Sequence, residues 1–146
     1  MIIIFSGMPA SGKSTIARKL KDKLGDVKMI VSDEIGRDRY PRIMKMVDGE
    51  VGNYQYIIVD ATFYKREWRE ELLNVIGPRD DVVLIYVYCS LETCMNRNRG
   101  REDSIPERAI YIIWNKFEEP ENPDISINTD QKTPEEAAEI ILRHIL

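Results

Sequence analysis

The sequence predicts an α/β domain built on a parallel sheet, from three observations. Short apolar runs alternate with amphipathic helical stretches along the whole chain. The first run, at residues 2–5, leads straight into a glycine-rich turn and then a helix. No repeat, low-complexity tract or linker interrupts the alternation. Strand–helix alternation of this kind calls for crossover connections and a sheet covered on both faces.

Taken in order, residues 2–5 are a buried strand. Ile16, Ala17, Leu20 and Leu24 share one helix face, and Gly25 stands at the C′ position that closes it. Residues 28–32 and 56–59 read as the second and third strands, the third running into Asp60. A helix over 67–76 places Trp68, Leu72 and Ile76 on one face and stops at Gly77-Pro78. Residues 82–88, almost wholly β-branched or aromatic, form the clearest strand. Ser90 caps a helix that ends near Gly100. Ser104-Ile-Pro-Glu107 has capping-box spacing and opens a helix through Phe117. Residues 124–127 are a short last strand. Thr133-Pro-Glu-Glu136 is a second capping box, with Pro134 at N1, starting a helix through Ile145. The stretch from Gly36 to Tyr54, with Gly36, Pro41, Gly49 and Gly52, reads as partly helical and mobile.

A chain of 146 residues, 43% hydrophobic, suits one domain with one core. Charged residues reach 32%, which fits either a heat-adapted protein or a small domain with much surface. No basic leader with a long apolar stretch is present and no run is long enough to span a bilayer, so a cytoplasmic protein without a membrane partner is expected. Cys89 and Cys94, with a lone His144, supply too few ligands for a metal centre and read as reduced packing residues. A net charge of −4 gives no global attraction to nucleic acid. The basic residues are bunched, however: Arg37, Arg39, Arg42 and Lys45 in one group, Arg97, Arg99 and Arg101 in another.

Gly7-Met-Pro-Ala-Ser-Gly12-Lys13-Ser14 matches G-x-x-x-x-G-K-[ST] at every fixed position, between a strand and a helix. Glycines let successive backbone N–H groups turn inward around a polyphosphate, and the helix N-terminus adds partial positive charge. The reading that follows is a single P-loop NTPase domain spanning 1–146, with a five-stranded parallel sheet ordered 2-3-1-4-5 and helices on both faces. ATP and Mg²⁺ are the expected ligands. Gly7, Ala10, Ser11, Gly12, Lys13, Ser14 and Thr15 cradle the nucleotide, Lys13 between the β- and γ-phosphates and Ser14 on Mg²⁺. A GTPase is disfavoured: Asp60-Ala-Thr-Phe63 lacks the glycine of D-x-x-G, and Asn115-Lys-Phe-Glu118 falls within a helix and ends in Glu.

Asp33, at the carboxyl end of the second strand, shares a sheet edge with the phosphate loop. A carboxylate there accepts an acceptor's proton or orients its hydroxyl. Arg37 holds a phosphate or pairs with Asp33. The alternative is an N-capping Asp beside a solvated Arg. Asp60 ends an apolar strand and suits Mg²⁺, directly or through water. Arg97, Arg99 and Arg101 around Gly100 suit a lid at about 97–105 that closes over ATP, and the segment at about 33–54 suits the acceptor. Thr129, in the loop after the last strand, borders the adenine. Without an acceptor, the same features describe a non-catalytic nucleotide switch.

With these residues in place, the chain resembles the polynucleotide 5′-hydroxyl kinase branch of P-loop kinases, a group that includes the kinase of seryl-tRNA. The likeness runs through residues 7–15, Ser32-Asp33 with Arg37, Val59-Asp60-Ala61-Thr62, Arg69, Arg97-Asn98-Arg99-Gly100, and Ile105-Pro106 leading to Lys116-Phe117-Glu118-Glu119-Pro120. It implies Asp33 as general base, Arg37 on the acceptor or its carboxylate, Asp60 as a second essential acid, and Arg97 or Arg99 in the lid. The chain departs from that branch in having Phe63 where Asn is usual after Asp-Ala-Thr, a short segment between Asp33 and Asp60, and a compact lid. Adenylylsulfate kinase is the nearest rival: Ser90-Leu-Glu-Thr-Cys94 and Phe117-Glu-Glu-Pro-Glu-Asn-Pro123 are similar to that family, but its Asp-Gly-Asp at the second strand is absent. The acceptor is therefore expected to be an RNA or DNA end or a charged tRNA, with adenylylsulfate or another small molecule as the alternative. Arg37, Arg39, Arg42 and Lys45 would track the backbone, with Tyr40 or Tyr54 stacking on a base.

Overall fold

A computed structural model describes all 146 residues. Five strands, β1 Ile2–Ser6, β2 Val27–Val31, β3 Tyr56–Asp60, β4 Val82–Tyr88 and β5 Ile125–Asn128, form one sheet in the order β2-β3-β1-β4-β5, and every pairing is parallel. The helices are α1 Lys13–Lys23, α2 Arg39–Glu50, α3 Arg66–Ile76, α4 Leu91–Arg99, α5 Glu107–Lys116 and α6 Pro134–Ile145.

Alternation along the strands divides the core. Ile3, Phe5, Ile58, Ile85 and Val87 face one side and meet Ile16, Ala17 and Leu20 of α1 and Ala137 and Ile141 of α6. Ile2, Ile4, Ile57 and Val59 face the other and meet Ile43 and Val47 of α2 and Leu72 and Ile76 of α3. β1 and β3 are buried at every residue, as central parallel strands require. A third, smaller cluster of Met8, Cys89, Cys94, Met95 and Ile110 closes the carboxyl end of β4 beneath α4 and α5.

The expected strand order holds, and strand bounds shift by one residue at most. Ser90 accepts a bond from Thr93 N at the start of α4, and Thr133 and Glu136 form a reciprocal capping box at α6. One local expectation is corrected. Ser104 caps nothing; Pro106 stands at the N-cap of α5 without a side-chain bond. The reason is tertiary: buried Asn98 holds Ile105 at both backbone groups, donating to its C=O at 2.7 Å and accepting from its N–H at 3.0 Å. Gly25 stands at C′ after α1 as expected, and the left-handed turn follows on Asp26 (φ 53°), whose Oδ2 accepts from Gln55 N at 2.9 Å. The stretch from Gly36 to Tyr54, expected to be partly helical, carries α2, with Pro41 in its first turn, where its missing N–H costs nothing.

Candidate nucleotide site

The site grows from the end of β1. Gly7 donates to Thr62 O at 3.1 Å, and a Cβ there would stand 2.3 Å from Val87 O, so only glycine lets the chain pass between β3 and β4. Gly12 at φ 99° turns the loop into α1, whose first N–H groups have no partner within the helix. That end carries no acidic residue in its first turn. It is a cradle for negative charge.

Ser14 Oγ donates to Asp60 Oδ2 at 2.6 Å, and Lys13 Nζ lies 3.8 Å from Asp60 Oδ1. Asp60 is 3% exposed and Lys13 8%. These three side chains meet because β1 and β3 are neighbours in register, Phe5 beside Asp60. The donor set fits a divalent cation that rides on nucleotide phosphates. The fold gathers no cluster of three acidic, His or Cys side chains, so a cation here would take its remaining ligands from phosphate and water, as Mg²⁺ does.

Arg97 does not hang over the loop with Arg99 and Arg101. Its Nη1 donates to Ser11 O at 3.0 Å and Thr129 Oγ1 at 2.9 Å, and its Nη2 donates to Thr129 O at 3.0 Å. Thr129 Oγ1 in turn donates to Ser11 O at 2.6 Å. Arg99 pairs with Glu107 and Arg101 with Asp103, both on the surface. The three guanidiniums thus share no partner. A cleft of about 420 Å³ opens beside the loop, between Gly12, Thr15, Arg97 and the segment from Thr129 to Pro134.

Asp33 sits in a single 3-10 turn, Ser32–Glu34, that follows β2 at the same edge. Asp33 and Arg37 are both exposed, and no ion pair joins them. Arg39, Arg42 and Lys45 are exposed on α2. Tyr40, expected to stack on a base, is committed elsewhere. It stacks on Trp68 with centroids 3.9 Å apart, and its hydroxyl accepts from Phe63 N at 2.9 Å. Burial pushes its phenol up to about 12. Tyr54 packs against the core beneath α2.

Phe63 explains what the sequence could not. Its φ is 48°, a left-handed conformation that Asn tolerates and Phe adopts at a cost of about 1–2 kcal/mol. Phe63 is fully buried, and Arg69 Nη1 donates to its C=O at 2.6 Å. Burial lowers the Arg69 pKa. Tyr40, Phe63 and Arg69 thus lock the segment after Asp60. Arg69 carried a sequence signal only through the resemblance, and Tyr40 only as a ring expected to stack on a base.

A family model described as "Chromatin associated protein KTI12" matches residues 1–141. The chain belongs to the KTI12 family. A probable adenylyl-sulfate kinase of Halalkalibacterium halodurans is 33% identical over 169 residues, covering 99% of this chain and 82% of the relative. An L-seryl-tRNA(Sec) kinase of Methanococcus maripaludis is 27% identical over 154 residues; the alignment takes in 90% of this chain and 60% of that enzyme. The crystal structure of Chaetomium thermophilum Kti12 in complex with ADP-AlF3 matches the fold with a TM-score of 0.84 at 18% identity over 100% of both chains. This KTI12-family chain is thus a P-loop kinase homologue, with adenylyl-sulfate and seryl-tRNA kinases among its relatives. No helix is long and apolar enough to cross a membrane.

Proposed function

We propose that the chain transfers the γ-phosphate of ATP to a hydroxyl, with a nucleic-acid 5′-hydroxyl or an aminoacyl-tRNA hydroxyl as the first acceptor class. The observation that carries this reading is the shared sheet edge: Lys13, Ser14 and Asp60 converge at 2.6–3.8 Å beside an unpaired, exposed Asp33. In the proposed step the acceptor oxygen forms a bond to γ-phosphorus as the bridging bond to ADP breaks. Asp33 accepts the hydroxyl proton, Lys13 follows the charge on the β- and γ-oxygens, and the α1 N-terminus holds the β-phosphate. A Mg²⁺ held by Ser14, with Asp60 behind it, would supply neutralisation of the polyphosphate. Arg97 fixes the floor of the loop and Thr129 the wall on the adenine side, while residues 33–54 face the acceptor and residues 97–105 border the nucleotide. The exposed arginines of α2 supply a backbone-tracking charge beside Asp33.

Adenylylsulfate is the second reading, favoured by the 33% identity to a probable adenylyl-sulfate kinase. The test offers γ-labelled ATP with 5′-hydroxyl oligonucleotides, charged and uncharged tRNA, adenylylsulfate and nucleosides. Labelled nucleic acid, weakening steeply with salt, is the expected result. Labelling of adenylylsulfate alone refutes the first acceptor class. Phosphate release to water with no labelled acceptor points instead to a nucleotide-driven switch.

A further inference from the structure

A second depression shares no lining residue with the nucleotide cleft, and no role assigned above uses it. It measures about 160 Å³ and is walled by Met8, Tyr86, Tyr88, Trp114 and Phe117, with Glu119 as its one charged residue. Its origin is in the alternation of β4: Tyr86 and Tyr88 lie on the face opposite Val83, Ile85 and Val87 and are only partly buried. α5 and the turn after it cover them only in part. The tyrosine rings stand 5.2 Å apart at 23°, and Phe117 leans on Tyr86 at 5.9 Å. The result is a nearly continuous flat aromatic wall. Tyr88 and Trp114 are each 37% exposed, so the slot is open to solvent.

We propose that this slot binds a nucleobase of the acceptor, stacked between Tyr88 and Trp114, with Glu119 accepting from an exocyclic amine. The assignment rests on the kinase reading for its orientation and on the slot's own chemistry for its ligand class. Three features select a base over a non-aromatic occupant. The walls are aromatic and flat, which suits a π-face. The volume suits one ring system and not a helix or a long chain. Met8, the second residue of the phosphate loop, lines the slot, so an occupant lies against that loop. The geometry of the sheet fits a nucleotide: β4 lies next to β1, where the phosphate loop starts, and Asp33 follows β2 on the far side. A base over β4 and a hydroxyl over β1 and β3 are separated by one to two strand spacings, roughly 5–10 Å.

The test uses intrinsic fluorescence, because the chain has two tryptophans and Trp68→Phe leaves Trp114 as the only reporter. The full chain, saturated with a non-hydrolysable ATP analogue, is titrated with cytidine, uridine and a short 5′-hydroxyl oligonucleotide. The expected result is saturable quenching, stronger for cytidine than for uridine, which has no exocyclic amine for Glu119. Glu119→Gln removes that preference. Tyr88→Leu weakens binding at least tenfold, whereas Tyr88→Phe retains it; far-UV circular dichroism and ATP affinity stay unchanged in both. Quenching that is absent, or unaffected by Tyr88→Leu, overturns the slot even if the enzyme labels nucleic acid. Quenching without transfer to any acceptor overturns the kinase reading and leaves the slot standing.

Discussion

Replacing Arg97 by Met separates two roles that its position near the phosphate loop allows. Met keeps much of the apolar stem and removes the guanidinium. Three hydrogen bonds go, to Ser11 O, Thr129 Oγ1 and Thr129 O. Bonds from a charged donor contribute about 1.5–3 kcal/mol each, but these do not add in full. Ser11 O keeps its bond from Thr129 Oγ1, so Thr129 O is the principal acceptor left without this partner. Arg97 is also half-buried, which lets water take over part of the loss. A total of about 2 kcal/mol is expected. Urea unfolding without nucleotide should show this drop, with a fall of roughly 4–8 °C in Tm for a domain of this size. Because the loop is held less firmly, ATP affinity by calorimetry should weaken about tenfold, or 1.4 kcal/mol. A protein of unchanged stability and ATP affinity, with a collapsed transfer rate, would refute this. It would mean that Arg97 leaves the floor and acts on the transferring phosphate.

Lys13→Ala should cut phosphoryl transfer at least a hundredfold, about 3 kcal/mol, measured as labelled product per turnover; unchanged turnover contradicts the kinase reading. Asp33→Asn should cripple transfer and spare ATP binding, whereas Asp60→Asn should weaken nucleotide binding in the presence of Mg²⁺; the reverse pattern in calorimetry and kinetics exchanges the two roles. Alkaline stability tests Tyr40. Its pKa rises from 10.0 to about 12 on folding, so the unfolded chain loses this proton first. The contribution is complete below pH 10 and is lost as pH climbs toward 12, about 2–3 kcal/mol in all, and urea titrations of Tyr40→Phe should lack that share. Thr133→Ala should remove about 1 kcal/mol by breaking the side-chain arm of the α6 capping box, the bond from Glu136 N to Thr133 Oγ1, read from urea midpoints.

The parts of this protein that could be read from sequence are those governed by neighbours along the chain. The phosphate loop, the seven-residue strand β4 and the caps at Ser90 and Thr133 each depend on residues within a few positions. The cap expected at Ser104 failed because Ile105 is held by Asn98, a partner that no local pattern names. The same holds in the site. Arg97 was placed near the nucleotide by its motif, yet its three bonds to Ser11 and Thr129 follow from strand order and were not legible. Phe63 looked like a departure from a family pattern; its positive φ turns it into a backbone requirement met by a different residue type.

The anchoring of Phe63 has a consequence for how this fold can be altered. Tyr40 and Arg69 fasten the segment after Asp60 from α2 and α3, whereas Ser11 is fastened from α4 and the loop after β5. The two halves of the site therefore hang from different supports and meet at the paired ends of β1 and β3, at the bond from Gly7 N to Thr62 O, and at Asp60, which Ser14 and Lys13 reach. Residues of α2 that face outward, from Arg39 to Lys45, can be exchanged as a block without touching any bond that shapes the phosphate loop, provided Tyr40 is kept. Grafting a foreign helix in place of α2 is a problem of one tyrosine and its apolar underside, Ile43, Met44 and Val47.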